Sequence, residues 1–362
     1  MISARVAAYG LPGVAAIDDR PLLDGAWRAL LDDAAHQRVT GQLVQAIADG
    51  VVRVPDECRE QANEQHRAAL ALDLVLDRLL VSTSAGLREA GVEHRALKGA
   101  ALAYTVYPAP ELRSYGDIDV LVDSARYDDA VAALRTDGGQ PRYAEPRSGF
   151  TRRFGKGVCI VTHDDLEIDL HRTFVAGPFG LALDVADLFV TPTMLNLGGA
   201  EVPALAPVPR FMHACFHASL GDRLPRLVPL RDVAQIMLTT ELDVDAVLDC
   251  AQRWRARAVV QHAVRTTWRV LQLEAEHPLV SFARTYVPDR FERTALRSYV
   301  ARDRSYATQA AAGVLALRST RDRAAYARAL LLPQRDYARE RGGYLARLRR
   351  SARIARHWKQ PA

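Results

Sequence analysis

A chain of 362 residues is too long for a single small hydrophobic core and suits two or three packed units. Its composition, with 49% hydrophobic and 25% charged residues, is that of a globular protein and excludes disorder on the scale of a domain. The net charge of +5, from 48 Lys and Arg against 43 Asp and Glu, is too small to attract nucleic acid to the whole surface.

The sequence gives no sign of secretion or membrane insertion. Residues 1–19 lack a cationic start followed by a long apolar stretch, and no later segment reaches the roughly 18 apolar residues that span a bilayer. We therefore expect a cytoplasmic protein. The cysteines at 58, 159, 215 and 250 lie far apart, which predicts neither a disulfide framework nor a thiolate zinc site.

Residues 1–91 are predicted to form an N-terminal helical region. Apolar residues recur there at three- and four-residue spacing, as in Leu72, Val75, Leu76 and Leu79. This periodicity indicates one or two helices within 22–47 and a longer helix over 60–90 that ends before Gly91. We interpret the leucine-rich segment 70–80 as core.

Residues 92–205 change to short runs typical of β-strands, separated by a helix near residues 127–134 that Ser124 is positioned to cap. A hairpin tip is expected at residues 163–165. The predicted strands are 92–97, 118–122, 158–162 and 166–174.

Helical periodicity returns after residue 205, over 211–219, 230–238, 244–273 and 305–332, so residues 206–362 are predicted as a C-terminal helical domain. Its end is basic: residues 335–359 hold eight arginines and Lys359 against Asp336 and Glu340. One interpretation is an arm that binds nucleic acid. We favour a charged helix packed on the body, because Leu345 and Leu348 begin an apolar stripe.

The chemistry is concentrated in the third of the chain that carries the strands. Asp117 and Asp119 are two residues apart, so on a strand both carboxylates point to one face, about 7 Å apart at their Cα atoms. Ile118 and Val120 point the other way and anchor the strand, which leaves an open acidic edge. Two such anions predict a Mg²⁺ site that also takes substrate phosphates.

A third carboxylate is expected from the segment Leu166-Glu167-Ile168-Asp169-Leu170-His171. Strict alternation places Glu167, Asp169 and His171 on one face. We select Asp169 as the third metal ligand or the general base, with Glu167 as the alternative. His171 is expected to orient the carboxylate of Asp169 more than to act directly.

Lys98 and Gly99 end the first predicted strand and begin a helix over residues 100–107. Glycine at such a turn lets backbone N–H groups approach a phosphate, and a helix N-terminus adds positive charge. Lys98 and Arg113 are candidates to neutralise a triphosphate. His213 and His217, four residues apart on a predicted helix, lack an intervening acidic base and are interpreted as packing histidines.

These motifs together resemble a known family. Leu-Lys-Gly at 97–99, Arg113, Asp117-Ile118-Asp119 and the Ile-Asp-Leu-His run at 168–171 resemble the largely uncharacterised bacterial nucleotidyltransferase-like proteins of the polymerase-β superfamily. The likeness is strongest over residues 92–174. One departure is that the usual Gly-Ser after the first strand is replaced by Lys98-Gly99-Ala100, which lacks the hydroxyl.

The resemblance implies an α+β fold with a mixed-sheet nucleotidyltransferase core, ATP or another NTP as donor, Mg²⁺ on the paired aspartates, and a helical domain near the acceptor. The acceptor is a small molecule, a peptide, a protein or a tRNA. The alternative is a catalytically silent nucleotide-binding or interaction protein with the same fold. We favour the enzyme, because three mutually repelling carboxylates cost stability unless a cation binds them.

Overall fold

The computed structural model describes residues 2–14, 24–222, 224–301 and 306–340. Most of the basic tail, from residue 341 onward, lies outside this part of the chain. The strands are β1 (His94–Ala96), β2 (Ile118–Val122), β3 (Gln140–Pro141), β4 (Gly157–Val161), β5 (Glu167–His171), β6 (Thr193–Leu197) and β7 (Ala200–Ala204).

The helices before and within the sheet region are α1 (Ile2–Ala8), α2 (Asp24–His36), α3 (Thr40–Ala48), α4 (Asp56–Glu89), α5 (Ala100–Ala103), α6 (Tyr127–Thr136), α7 (Phe150–Phe154) and α8 (Pro178–Ala182). Those that follow it are α9 (Pro207–Phe216), α10 (Leu227–Thr239), α11 (Val244–Arg253), α12 (Arg257–Leu271), α13 (Pro278–Thr285), α14 (Arg290–Val300), α15 (Tyr306–Ala316), α16 (Thr320–Leu331) and α17 (Arg335–Glu340). A π-helical turn, His217–Gly221, continues α9.

The strands form one mixed sheet in the order β3-β4-β5-β2-β1-β7-β6. The pairs β2/β5 and β1/β7 are parallel, and the other neighbours are antiparallel. The α+β class with a mixed sheet is therefore confirmed. In the described residues no helix is both long enough and apolar enough to cross a membrane.

The two faces of the sheet pack against different helices. Ile118, Val120 and Val122 share a core with residues of α4 and α6, as the strand alternation predicts. Leu121, on the opposite face, belongs to a second core that includes residues of α1, α3, α9, α10 and α12. The N-terminal and C-terminal helices thus share one core, and the boundaries at residues 91 and 205 stay a prediction.

Several predicted elements differ from those observed. The leucine-rich segment of α4 is not simply core: Leu72, Leu74 and Val75 are exposed, and Asp73 and Asp77 face inward instead. The helix after Gly99 spans four residues rather than eight. Asp123, not Ser124, caps the 3₁₀ turn that precedes α6.

The β6/β7 hairpin was not predicted. Its sequence signal is Gly198-Gly199, both with positive φ, between two segments whose alternate residues are buried. This hairpin completes one end of the sheet, where β7 pairs with β1.

Candidate active site

Asp119 and Asp169 are direct partners on the parallel strands β2 and β5. Because the register places them side by side on one face of the sheet, their carboxylates converge with the imidazole of His171. One ligand atom from each of these three residues lies within 4.8 Å of the other two. Two members of the predicted metal set, Asp119 and Asp169, therefore meet, and the third group of this cluster is His171 rather than Asp117.

Asp117 lies just before β2, so it is not on the strand as the spacing predicted. Its Oδ2 is 3.4 Å from Lys98 Nζ, and its Oδ1 is 3.9 Å from Arg38 Nη1. The side chain remains partly exposed. Asp117 is thus connected to Asp119 through Lys98, whose Nζ is also 2.8 Å from Asp119 Oδ2.

The open acidic edge expected from the sequence is wrong for Asp119. Its side chain is only 2% exposed, enclosed between Lys98 on one side and His171 on the other, with His171 Nε2 at 2.9 Å from Oδ1. The covering residues come from distant parts of the chain, so strand alternation alone does not reveal this burial.

Burial and charge act against each other in this cluster. Burial disfavours the carboxylate of Asp119, but Lys98 and the hydrogen bond from His171 outweigh it, so its pKa is held well below the usual range. Burial also disfavours the ammonium of Lys98, yet Asp119 and Asp117 raise its pKa. Both groups are therefore charged near neutral pH.

His171 is fully buried, and its pKa is lowered by burial and by the charge of Lys156. Its Nδ1 lies 3.3 Å from the carbonyl oxygen of Thr173. The Nε2–H donates to Asp119 Oδ1 at 2.9 Å. If a metal ion bound Nε2 instead, the ring would take the other tautomer, whose Nδ1–H donates to the Thr173 carbonyl, an arrangement common among metal-binding histidines. We expected His171 to orient Asp169, but its nearer contact is Asp119, because Asp169 Oδ2 is 3.9 Å away.

The structure separates the two carboxylates of β5 that the sequence left as alternatives. Asp169 is 30% exposed, lies beside Asp119, and has Lys156 Nζ at 3.7 Å. Glu167 pairs with Arg142 and accepts from Cys159 Sγ at 3.6 Å, outside the cluster of metal-ligating groups. Asp169 is therefore the carboxylate of this strand that meets Asp119.

Gly99 has φ +53°, a conformation that favours glycine, and a Cβ added there would lie 3.4 Å from the ring of Tyr115. It turns the chain from β1 into α5, so Lys98 projects toward Asp117 and Asp119. With four residues, α5 has little macrodipole, and any phosphate contact here depends on the turn and on Lys98.

Arg113 has contacts different from those expected of a triphosphate ligand. It donates from Nε and Nη2 to the two carboxylate oxygens of Asp232 at 2.7 and 2.9 Å, and from Nη1 to the Ser114 carbonyl at 2.6 Å. Its side chain is buried. The N–H groups of the guanidinium therefore already donate to protein acceptors. A role of Arg113 at the triphosphate stays a prediction.

Three basic residues near the carboxylates were missed: Arg38, Lys156 and Arg226. Arg38 projects from the turn between α2 and α3, and a Cβ on Gly116 would lie 2.5 Å from its Nη2. Isolated basic residues in turns carry no periodic signal. The glycine immediately before Asp117 was the one local hint that another group approaches there.

Two cavities open on this cluster. The cationic cavity, about 180 Å³, is lined by Arg38, Lys98, Gly99, Arg113, Asp117 and Arg226 among others. The aromatic cavity, about 380 Å³, is lined by residues that include Lys98, Lys156, His171, Phe174, Phe216 and His217. Lys98 and His217 line both. A larger cavity of about 600 Å³ at Arg255 and Phe291 shares no lining residue with either.

His213 and His217, which the sequence suggested as packing histidines, both line the aromatic cavity. The His213 ring is 4.7 Å from that of Phe174, edge to face, and 6.4 Å from that of His217. Burial lowers the pKa of His213 to about 3 and that of His217 well below its usual range. Both rings are therefore uncharged.

A mixed sheet that brings aspartates of adjacent strands together beside a lysine-glycine turn is consistent with a nucleotidyltransferase fold. The chain belongs to the family described as uncharacterised nucleotidyltransferase, whose model matches residues 24–272, more than half of its length. The match begins in α2 and ends after α12, so it includes Arg38 as well as the sheet.

A solved structure described as an antigenic nucleotidyltransferase-like protein from Paracoccidioides brasiliensis is similar to this chain at 14% sequence identity, with a TM-score of 0.34. The alignment covers 56% of this chain and 94% of the other. At this score the likeness carries no argument about function. No curated protein matches the sequence.

Proposed function

We propose that the protein is a Mg²⁺-dependent nucleotidyltransferase of the polymerase-β type, which transfers an NMP, with AMP as our choice, from an NTP to a hydroxyl or phosphate acceptor. A new bond forms between the acceptor oxygen and the α-phosphorus. The bond from that phosphorus to the bridging oxygen of the β-phosphate breaks, pyrophosphate leaves with the electron pair, and the acceptor proton passes to a carboxylate or to water.

The observation that carries this proposal is the pairing of Asp119 with Asp169 in a chain of this family. Carboxylate oxygens are the ligands that Mg²⁺ prefers, so Asp117, Asp119 and Asp169 would hold the ion. A bound Mg²⁺ supplies positive charge for the phosphate oxygens and the leaving pyrophosphate. His171 adds a nitrogen ligand to the same cluster, a donor better suited to Mn²⁺ or Zn²⁺ than to Mg²⁺.

The chain's own residues divide the remaining tasks. Lys98, Arg38 and Arg226 line the cationic cavity and would bind the phosphates of the NTP, with the Gly99 turn allowing close approach. Arg113 would support this cavity wall through Asp232. Asp169, the more exposed of the paired carboxylates, would accept the acceptor's proton.

Charge repulsion does not distinguish the enzyme from a silent binding protein, contrary to our expectation from the sequence. Lys98 lies beside Asp117 and Asp119, and Lys156 beside Asp169, so protein cations already compensate the carboxylates. Lys98 would therefore have to turn toward phosphate when metal and NTP bind. The test between the two functions has to measure chemistry.

We would incubate the protein with Mg²⁺, ATP labelled in its α-phosphate and an extract of the cells that produce it, and follow pyrophosphate release and label transfer. Asp117→Asn and Asp119→Asn should each lose transfer by orders of magnitude and weaken Mg²⁺-dependent ATP binding in calorimetry. Asp245→Asn, on an exposed position of α11, is the matched control. Binding of Mg²⁺ and ATP with no transfer in any extract would instead establish the silent function.

A further inference from the structure

The aromatic and cationic cavities meet at Lys98 and His217, which line both, and they extend toward different strands of the sheet. In the order β4-β5-β2-β1, the lining residues His171 and Lys156 belong to β5 and to the turn before β4. Gly99 and Asp117, at the ends of β1 and β2, line the cationic cavity instead. Asp119 stands between the two, in contact with Lys98 and His171.

Nucleotidyl transfer imposes a direction on this arrangement. The attacking and leaving oxygens of a displacement at phosphorus are in line, on opposite sides of the reacting atom. If the leaving pyrophosphate occupies the cationic cavity, on the β1 side of Asp119, the attacking oxygen has to enter from the other side, and the aromatic cavity extends toward β5 on that side. Lys156 lines the aromatic cavity and its Nζ is 3.7 Å from Asp169 Oδ2, so the proposed proton acceptor is on the attacking side.

The walls of the aromatic cavity define what it accepts. Phe174, Val175, Phe216 and Leu220 supply an apolar surface, and His213 and His217 add uncharged rings. Among the described residues that line it there is no carboxylate, so a polycationic acceptor finds no counter-charge there. The two lysines of the lining, Lys98 and Lys156, are paired with Asp119 and Asp169.

The volume also limits the ligand. About 380 Å³ lies within the range of small-molecule pockets, so a small acceptor fits inside while a macromolecule could insert only a side chain or a terminal nucleotide. Its lining includes the segment after β5, α9 with its π-helical turn, and Tyr299 of α14.

From this geometry we propose that the aromatic cavity is the acceptor site, and that the acceptor is a small molecule with a hydroxyl on an apolar, aromatic or aliphatic body. This inference rests on the proposed function. The hydroxyl oxygen forms the bond to the α-phosphorus, its proton passes to Asp169, and pyrophosphate leaves through the cationic cavity. The apolar body stays against Phe174 and Leu220.

The test uses the full chain with α-labelled ATP and Mg²⁺. An extract of the producing cells is first separated into protein, RNA, small molecules retained on a reversed-phase column, and small molecules that are not retained. Each fraction is then offered as acceptor. We expect label in the retained small molecules, and Val175→Trp, which places an indole in the cavity, should reduce this transfer about tenfold or more.

Val190→Trp, on an exposed position outside the lining of the cavity, is the matched control and should transfer normally. A thermal unfolding midpoint equal to wild type verifies that Val175→Trp is folded, and Ala176→Phe serves as a second variant if it is not. Label in protein, in RNA or in the unretained fraction would overturn the inference while leaving the proposed function intact.

Two other results would also decide the question. If Val175→Trp weakens ATP binding rather than transfer, the cavity holds the nucleoside and the inference is wrong. If no fraction receives label and no pyrophosphate is released, the proposed function itself has failed, which is a different outcome from transfer to another class of acceptor.

Discussion

The guanidinium of Arg113 binds both carboxylate oxygens of Asp232, at 2.7 and 2.9 Å, in a site with almost no solvent access. Tyr107 donates its O–H to the same carboxylate at 2.8 Å. The pair joins the segment before β2 to α10, so it connects the sheet to the C-terminal helices. This arrangement indicates that Arg113 stabilises the fold.

Arg113→Ala should therefore lower the free energy of unfolding by about 3–5 kcal/mol, because it leaves Asp232 buried and uncompensated. Urea denaturation measures this directly. Replacing both partners, Arg113→Leu with Asp232→Leu, should recover part of the loss, since no charge is then left unpaired. Normal stability in Arg113→Ala with a raised KM for ATP would restore the triphosphate role that the sequence predicted.

Arg38 should serve the NTP instead. Arg38→Ala is expected to raise the KM for ATP about tenfold, which corresponds to ~1.4 kcal/mol, with little change in unfolding. Gly116→Ala should act in the same direction, because its added Cβ would displace the end of the Arg38 side chain. Steady-state kinetics test both, with Arg59→Ala, an exposed arginine of α4, as control. Unchanged KM in both variants would remove Arg38 from the substrate site.

Asp169 and Glu167 should separate binding from chemistry. Asp169→Asn is expected to retain most ATP binding while turnover falls by orders of magnitude, because the proton acceptor is lost and Asp117 and Asp119 remain. Glu167→Gln should be close to wild type, since Glu167 faces Arg142. Calorimetry and single-turnover kinetics make the comparison. The reverse ranking of the two variants would show that the wrong carboxylate of β5 was chosen.

A stability prediction follows from Asp73 on α4. Burial raises its pKa to about 6, although it accepts a hydrogen bond from the Tyr115 N–H at 2.9 Å. A raised carboxyl pKa means that its contribution to stability is present below the unfolded pKa, near 4, and is lost as the pH rises through about 6.

Relative to Asp73→Asn, which resembles the protonated form, the wild-type protein should therefore lose stability between about pH 4 and pH 6, by at most about 3 kcal/mol. The two proteins should then differ by a constant amount at higher pH. Denaturation at several pH values gives the difference in the free energy of unfolding between the two proteins. The other carboxylates titrate in both proteins, so their effect cancels in this difference. A flat difference across the range would show that Asp73 titrates normally.

The sequence was sufficient for features that depend on local periodicity. The alternation in residues 166–171 and 118–122 predicted β5 and β2, and it placed Asp119 and Asp169 on strand faces that could meet. The three- and four-residue spacing predicted α2, α3 and α4 within a few residues. These patterns are readable because the side chains of one element share a face regardless of what packs against it.

Tertiary structure decided which charges meet. The parallel register of β2 with β5 places Asp169, and not Glu167, beside Asp119. Strand alternation alone could not distinguish these two carboxylates, because both lie on the same face of β5. The chain path brought Arg38 to Asp117 across a separation of 79 residues in sequence, and it took Arg113 to Asp232. Such pairings depend on how elements pack, and a charged side chain carries no signal in its own segment for the partner it will find. The sequence thus determined the candidate groups, and the packing of helices on the sheet determined which of them meet in the candidate site.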